Sequence, residues 1–216
     1  MRSICKIFFA VSLLFGVLNA DVTQNQMVKN AINIMSGFLQ NVDSQKLKDV
    51  KGVIVIPDLV KSGIGLALSN GKGVFIAKND DGGWSSPFFI DYHGVSAGIQ
   101  AGYSSTDVVI LLRNSRAYKK IFEGDDTISL KATAAIINKG ESAATTTNLP
   151  EISAYISERG KSAGAFVGAS LDIARVSINR QDTNDYYDRM YDYQDLYSNS
   201  IKNSKYTTKL HEILNF

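Results

Sequence analysis

The chain has 216 residues, 44% hydrophobic and 20% charged, which is enough for one domain with a substantial core and too little for two generous ones. Its 23 Lys and Arg against 21 Asp and Glu leave no basic domain or stripe on which a nucleic acid would be held. A single Cys excludes a disulfide framework.

The first twenty residues, MRSICKIFFAVSLLFGVLNA, carry Arg2 and Lys6, an apolar stretch over 7–18, and the small Ala20 before Asp21. That is the pattern of a secretory signal peptide, and the apolar part is shorter than the roughly 20 residues a membrane span needs. We therefore expect residues 1–20 to be cleaved and residues 21–216 to be the mature chain, in the periplasm, or secreted or in the cell envelope. Cys5 leaves with the leader. So do Arg2 and Lys6, which takes Lys and Arg from 23 to 21 and balances the 21 acidic residues.

Over residues 22–42, Val28, Ala31, Met35, Phe38 or Leu39 and Val42 recur at steps of three and four, with Gln24, Asn25, Lys29, Asn33, Ser36 and Gln40 opposite. This spacing predicts an amphipathic helix. Two readings stay open for its apolar stripe: packing on the core, or resting on a membrane surface. Lys46, Lys48 and Lys51 then lead into Gly52-Val-Ile-Val-Ile-Pro57, a buried strand that the proline is expected to stop.

In 63–68, Ile64, Leu66 and Leu68 alternate with Gly63, Gly65 and Ala67, and Asn70-Gly71 predicts a hairpin turn returning along 74–78. A second turn at Asp80-Asp-Gly-Gly83 precedes strands over 84–90, interrupted by Pro87, and over 95–103 and 108–112. The predicted picture is a succession of antiparallel strands at hairpin spacing. Strand faces made of Gly, Ser and Ala imply sharp coiling, or a helix or second backbone pressed close.

Ser115 predicts the start of a short helix through Phe122, segments 130–137 and 152–156 read as strands, 139–150 as a polar loop, and 165–176 alternates again. After Asn179, Asp182, Asp185 and Asp188 fall at helical spacing among several tyrosines, and the chain ends on Leu210, Ile213 and Leu214, also at helical spacing. Such an end is not the alternating closing strand of an outer-membrane barrel. The expected class is α+β: a strongly coiled antiparallel, barrel-like sheet flanked by helices.

Several motifs in order carry a resemblance: Lys51-Gly-Val-Ile-Val-Ile-Pro57, Gly71-Lys-Gly-Val74, Trp84-Ser-Ser-Pro87, and Gly98-Ile-Gln-Ala-Gly-Tyr-Ser-Ser-Thr-Asp107 running on through 108–112. Further on come residues 155–160, Gly164-Ala-Phe-Val-Gly-Ala-Ser-Leu171, and the pair Tyr186-Tyr187. Together they resemble the SYLF domain, also described as the yeast actin-patch and WASP-binding protein family. The likeness covers 27–187, with 180–216 as a helical C-terminal extension; Lys78 departs from the family's usual arginine, and 131–140 from its more glycine- and acid-rich stretch. It implies binding of membrane lipids, participation of an N-terminal amphipathic helix, and no enzymatic activity. Because the leader resembles that of bacterial secreted members, the expected partner is an anionic phospholipid membrane surface, with an envelope protein partner as the alternative.

Two stretches fit the Gly-x-Ser-x-Gly of a hydrolase elbow, Gly94-Val-Ser96-Ala-Gly98 and Gly160-Lys-Ser162-Ala-Gly164, but neither reads as strand-then-helix. The aspartate stripe lacks the glycine-bearing loop of a calcium site, and no phosphate-cradling loop is present. No catalytic residue, metal or cofactor is expected. The candidate lipid-binding residues are Lys29; Lys46, Lys48, Lys51 and Lys61, each worth about 1 kcal/mol near an anionic bilayer or else a solvated flank for an apolar strand; and Trp84, read either as a core or hairpin-packing residue or as an anchor at the headgroup level.

Overall fold

In the computed structural model, residues 23–122, 127–136, 151–157, 163–166 and 171–216 are described. The expected leader, the polar loop over 139–150, and Ser162 lie outside them.

Two runs rich in β-branched and aromatic residues form very long strands, β1 (Gly52–Ala77) and β2 (Phe88–Leu112). They pair antiparallel from Gly52 opposite Leu112 to Phe75 opposite Phe88, with register shifts between Ile56 and Leu59 and between Ile64 and Leu66. The expected succession of short hairpins is therefore replaced by one ribbon, and the reasons lie in two of the predicted breaks. Pro57 does not stop the strand, because the first register shift leaves Pro57 and Asp58 out of the ladder, where a missing N–H costs nothing. The Asp58 N–H, in the left-handed region at φ 50°, donates instead to the buried Asp107 carboxylate at 3.1 Å. Nor does Asn70-Gly71 turn; the two residues stand opposite His93 and Tyr92 in the ladder. The predicted turn at 80–83 does form, with Gly82 at φ 82°.

The ribbon bends back on itself. Gly73 lies so close to the first half of β1 that a Cβ there would collide with the Val55 carbonyl oxygen, and the Lys78 N–H donates to the Lys51 carbonyl at 2.6 Å. The free edge of β2 is shared along its length: β4 (Ile152–Ser157) takes 107–112, β5 (Ala163–Phe166) takes 100–103, and β6 (Leu171–Ile178) takes 90–95. β3 (Thr127–Ile136) joins β4 in parallel and β6 antiparallel, so the sheet curls round. The class is α+β with a strongly coiled, barrel-like sheet, antiparallel apart from the β3–β4 pair.

Alternation along the ribbon feeds two cores. Ile54, Ile56, Phe75, Phe88, Ile90 and Ile110 join Tyr118 of α2 (Arg116–Phe122) and Tyr197 of α4 (Tyr193–Tyr197). Val53, Val55, Val74, Ile76, Val109 and Leu111 point the other way, under α1 (Gln24–Leu39) and α5 (Lys205–Leu214). Thr23 caps α1 by accepting from the Gln26 N–H, and Asn179 caps α3 (Arg180–Tyr187) by accepting from the Asp182 N–H.

Candidate functional site

The structure separates the residues that the sequence grouped together. The apolar stripe of α1, including Val28, Ala31 and Met35, is buried against β1 and α5, which leaves only its polar face, with Lys29, toward solvent. Lys46 is half-buried on a 3-10 turn (Ser44–Leu47), its carbonyl accepting from Arg113 Nη2 at 2.6 Å. Lys48 and Lys51 are exposed where the ribbon begins. Lys61 lies about 30 Å of strand further along β1 at the usual rise per residue, so it does not join the others.

Trp84 is a core residue, 5% exposed, which favours the packing reading of its ring over the headgroup one. The bridge between Lys78 and Trp84 closes the hairpin, and the Lys78 ammonium stands 5.1 Å from the ring centroid, so the indole is enclosed between a cation and the second core.

A different surface carries a row of exposed apolar groups. At the ribbon's bend Ile64, Leu66 and Leu68 are 85%, 64% and 56% exposed, and Val95, opposite Leu68, is 51% exposed. Tyr103, opposite Ser62, is also exposed. Amphipathicity is inverted here: Ala67, Ser69, Gly94 and Ser96 point inward and are buried. The cause is local: beside the register shift a Cβ on Gly63 would collide with the Leu66 carbonyl oxygen, and one on Gly94 would press on the Tyr92 ring and Ser69, so the inside is crowded and the large side chains go out. The sequence showed the alternation but not which side faced in. The small residues at every other position were the signal that could have found it.

The electrostatics of this bend are one-sided. Neither 59–79 nor 92–106 contains an Asp or Glu. Beside the apolar row, Leu68, Asn70, His93, Val95 and Arg175 line a shallow groove of about 430 Å³, and His93 Nδ1 lies 2.8 Å from Asn70 Oδ1.

Around Ser96 the described residues assemble no hydrolase elbow. Ser96 lies within β2, buried, its Oγ without a hydrogen-bond partner, and no helix follows it. His211 on α5 is engaged elsewhere, its Nε2 donating to the Ser85 carbonyl at 2.8 Å. Asp182 of the aspartate stripe accepts from Lys72 Nζ at 2.9 Å and Gln24 Nε2 at 3.2 Å. Among the described residues no three His, Cys, Asp or Glu converge as metal ligands, and no helix is long and apolar enough to cross a membrane.

A strongly curled sheet wrapped by short helices, with an outward apolar bend, is the class of α+β domain that the described residues define. The sequence model of the family described as "Ysc84: Las17-binding protein actin regulator" matches residues 93–215, more than half of the chain, and the chain belongs to this SYLF-domain family. It is 28% identical over 176 residues to SH3 domain-containing YSC84-like protein 1 of Rattus norvegicus, covering 81% of this chain and 51% of that protein. To Protein YSC84 of Saccharomyces cerevisiae it is 30% identical over 155 residues, covering 69% and 33%. To LAS seventeen-binding protein 3 of the same species it is 29% identical over 168 residues, covering 71% and 36%. The chain thus spans about half or less of the length of these curated relatives. No solved structure matches it.

Proposed function

We propose that this chain is a peripheral phospholipid-binding module of the cell envelope, exported by its first twenty residues and without catalytic activity. One observation supports the membrane reading above the others: the row Ile64, Leu66, Leu68 and Val95 stands outward on a surface with no carboxylate in its ribbon segments. Apolar patches left in water mark interaction sites, and burying each of the three largest side chains is worth roughly 1.5–3 kcal/mol. The sum covers a peripheral attachment after orientation costs. The sheet acts as the rigid platform, the bend enters the headgroup layer, and Lys61 flanks it. In this arrangement α1 stabilises the platform, and only Lys29 and its polar neighbours remain for the bilayer.

The test is co-sedimentation of the processed chain, starting at Asp21, with phosphatidylglycerol and phosphatidylcholine vesicles. Processing matters because an uncleaved apolar leader would bind membranes by itself. Binding to the anionic vesicles, weakened by salt, is the expected result, and a chain that stays in the supernatant with both lipids overturns the proposal. The family description names a protein partner for its members, Las17, and this favours a second reading in which the bend seats an envelope protein. That reading predicts no lipid-dependent sedimentation.

A further inference from the structure

We propose that the groove beside the apolar row seats the phosphate of an anionic phospholipid headgroup, held by Arg175 and Asn70, while Leu66, Leu68 and Val95 enter the acyl region next to it. The inference rests on the membrane-binding reading above and assigns its headgroup contact. Three strands build the seat. Asn70 on β1 stands opposite His93 on β2, and His93 stands opposite Arg175 on β6, which places three polar residues on one rung across the sheet. The next rung on the same face toward the bend carries Leu68 and Val95. Rungs two residues apart are about 7 Å from one another, a step comparable to that from a lipid's phosphate to the start of its chains.

The donors are in place. Asn70 Oδ1 can only accept, so it takes the proton of His93 Nδ1 at 2.8 Å. That contact orients the amide and leaves its Nδ2 hydrogens without a partner among the described residues. Arg175 is exposed, and among the described residues no carboxylate forms an ion pair with it. Its guanidinium is permanently charged and forked to match phosphate oxygens. A protein partner would have to offer an anion and an apolar hollow side by side, whereas a bilayer presents anionic phosphate and then hydrocarbon as successive layers, in the order of the two rungs.

The experiment compares the processed chain with Arg175→Gln and with Leu66→Ser/Leu68→Ser, all at exposed positions, after checking that thermal midpoints are unchanged. Vesicles are phosphatidylcholine alone and phosphatidylcholine doped with phosphatidylglycerol. Arg175→Gln is expected to lose about tenfold in affinity for the anionic vesicles, the scale of a charged hydrogen bond, and to lose less on phosphatidylcholine, whose phosphate is already offset by its own choline ammonium. The double variant is expected to weaken on both, and millimolar inorganic phosphate to displace neither. If the parent binds anionic vesicles and Arg175→Gln binds them equally well, the groove is not the headgroup seat while the membrane reading stands. If inorganic phosphate displaces the protein, the groove is a site for the free anion and the lipid assignment falls. If the parent binds no vesicle, both readings fall together.

Discussion

At Trp84 the sequence left packing and an interface role both open, and the structure spends that ring on packing. Trp84→Ala removes a side chain that is 5% exposed and covered by Lys78, and aromatic truncations in cores cost about 3–5 kcal/mol. Urea unfolding is expected to show that loss, with vesicle affinity per folded molecule unchanged; an unaltered midpoint with lost vesicle binding would restore the anchor role. His211 makes a prediction of the same kind. Burial holds its pKa below the ordinary 6.5, partly offset by the hydrogen bond to Ser85. Its folded form therefore resists a proton that the unfolded chain accepts, so the histidine contributes no pH dependence well above 6.5 and costs stability as the pH falls below it. Urea midpoints measured from neutral to mildly acid pH should fall less steeply for His211→Gln than for the parent. Parallel curves would mean that His211 titrates alike in both states.

At the scale of the element, most strand residues were legible because alternation is a local property, while the division into strands was not. Pro57 and Asn70-Gly71 carry turn chemistry, yet each is absorbed by something distant: Asp107 takes the Asp58 N–H, and a Cβ at position 71 would sit 2.8 Å from Ile56 Cγ2. Glycine that gives room to a second backbone reads the same as glycine that gives a positive φ. The two roles separate experimentally. Gly73→Ala drives a methyl group into the Val55 carbonyl and the Ile56 side chain, and overpacking of that kind costs about 1–3 kcal/mol. Gly65→Ala meets nothing within 4 Å and carries only the left-handed penalty of about 1–2 kcal/mol. Thermal unfolding with a wild-type-like amide spectrum is expected for Gly65→Ala, and shifts spreading along both halves of β1 for Gly73→Ala. If the Gly73 variant keeps its spectrum, the two halves of β1 are not pressed together.

For the whole molecule, the candidate site was hidden for a reason of topology. Ile64, Leu66 and Leu68 look like any buried strand face until the ribbon's bend decides which side is crowded, and that depends on contacts far along the chain. The same topology governs what the family match means. Residues 93–215 carry the match, yet β1 pairs with β2 from 52 to 75 and supplies side chains to both cores. A fragment comprising 93–216 loses Ile54, Ile56 and Phe75 from one core and Val53, Val55, Val74 and Ile76 from the other. At roughly 1.5–3 kcal/mol each, these seven are together worth about as much as the roughly 5–15 kcal/mol by which a whole domain is typically stable. The fragment also bares the edge of β2 that β1 covers, a template for aggregation. It is therefore expected to show no cooperative thermal transition and to bind apolar dyes, where the chain from Asp21 melts sharply. A sharp transition with dispersed amide signals from 93–216 alone would mean that the matched segment is a self-sufficient fold, and that the β1 bend, with its apolar row, is an attachment to it.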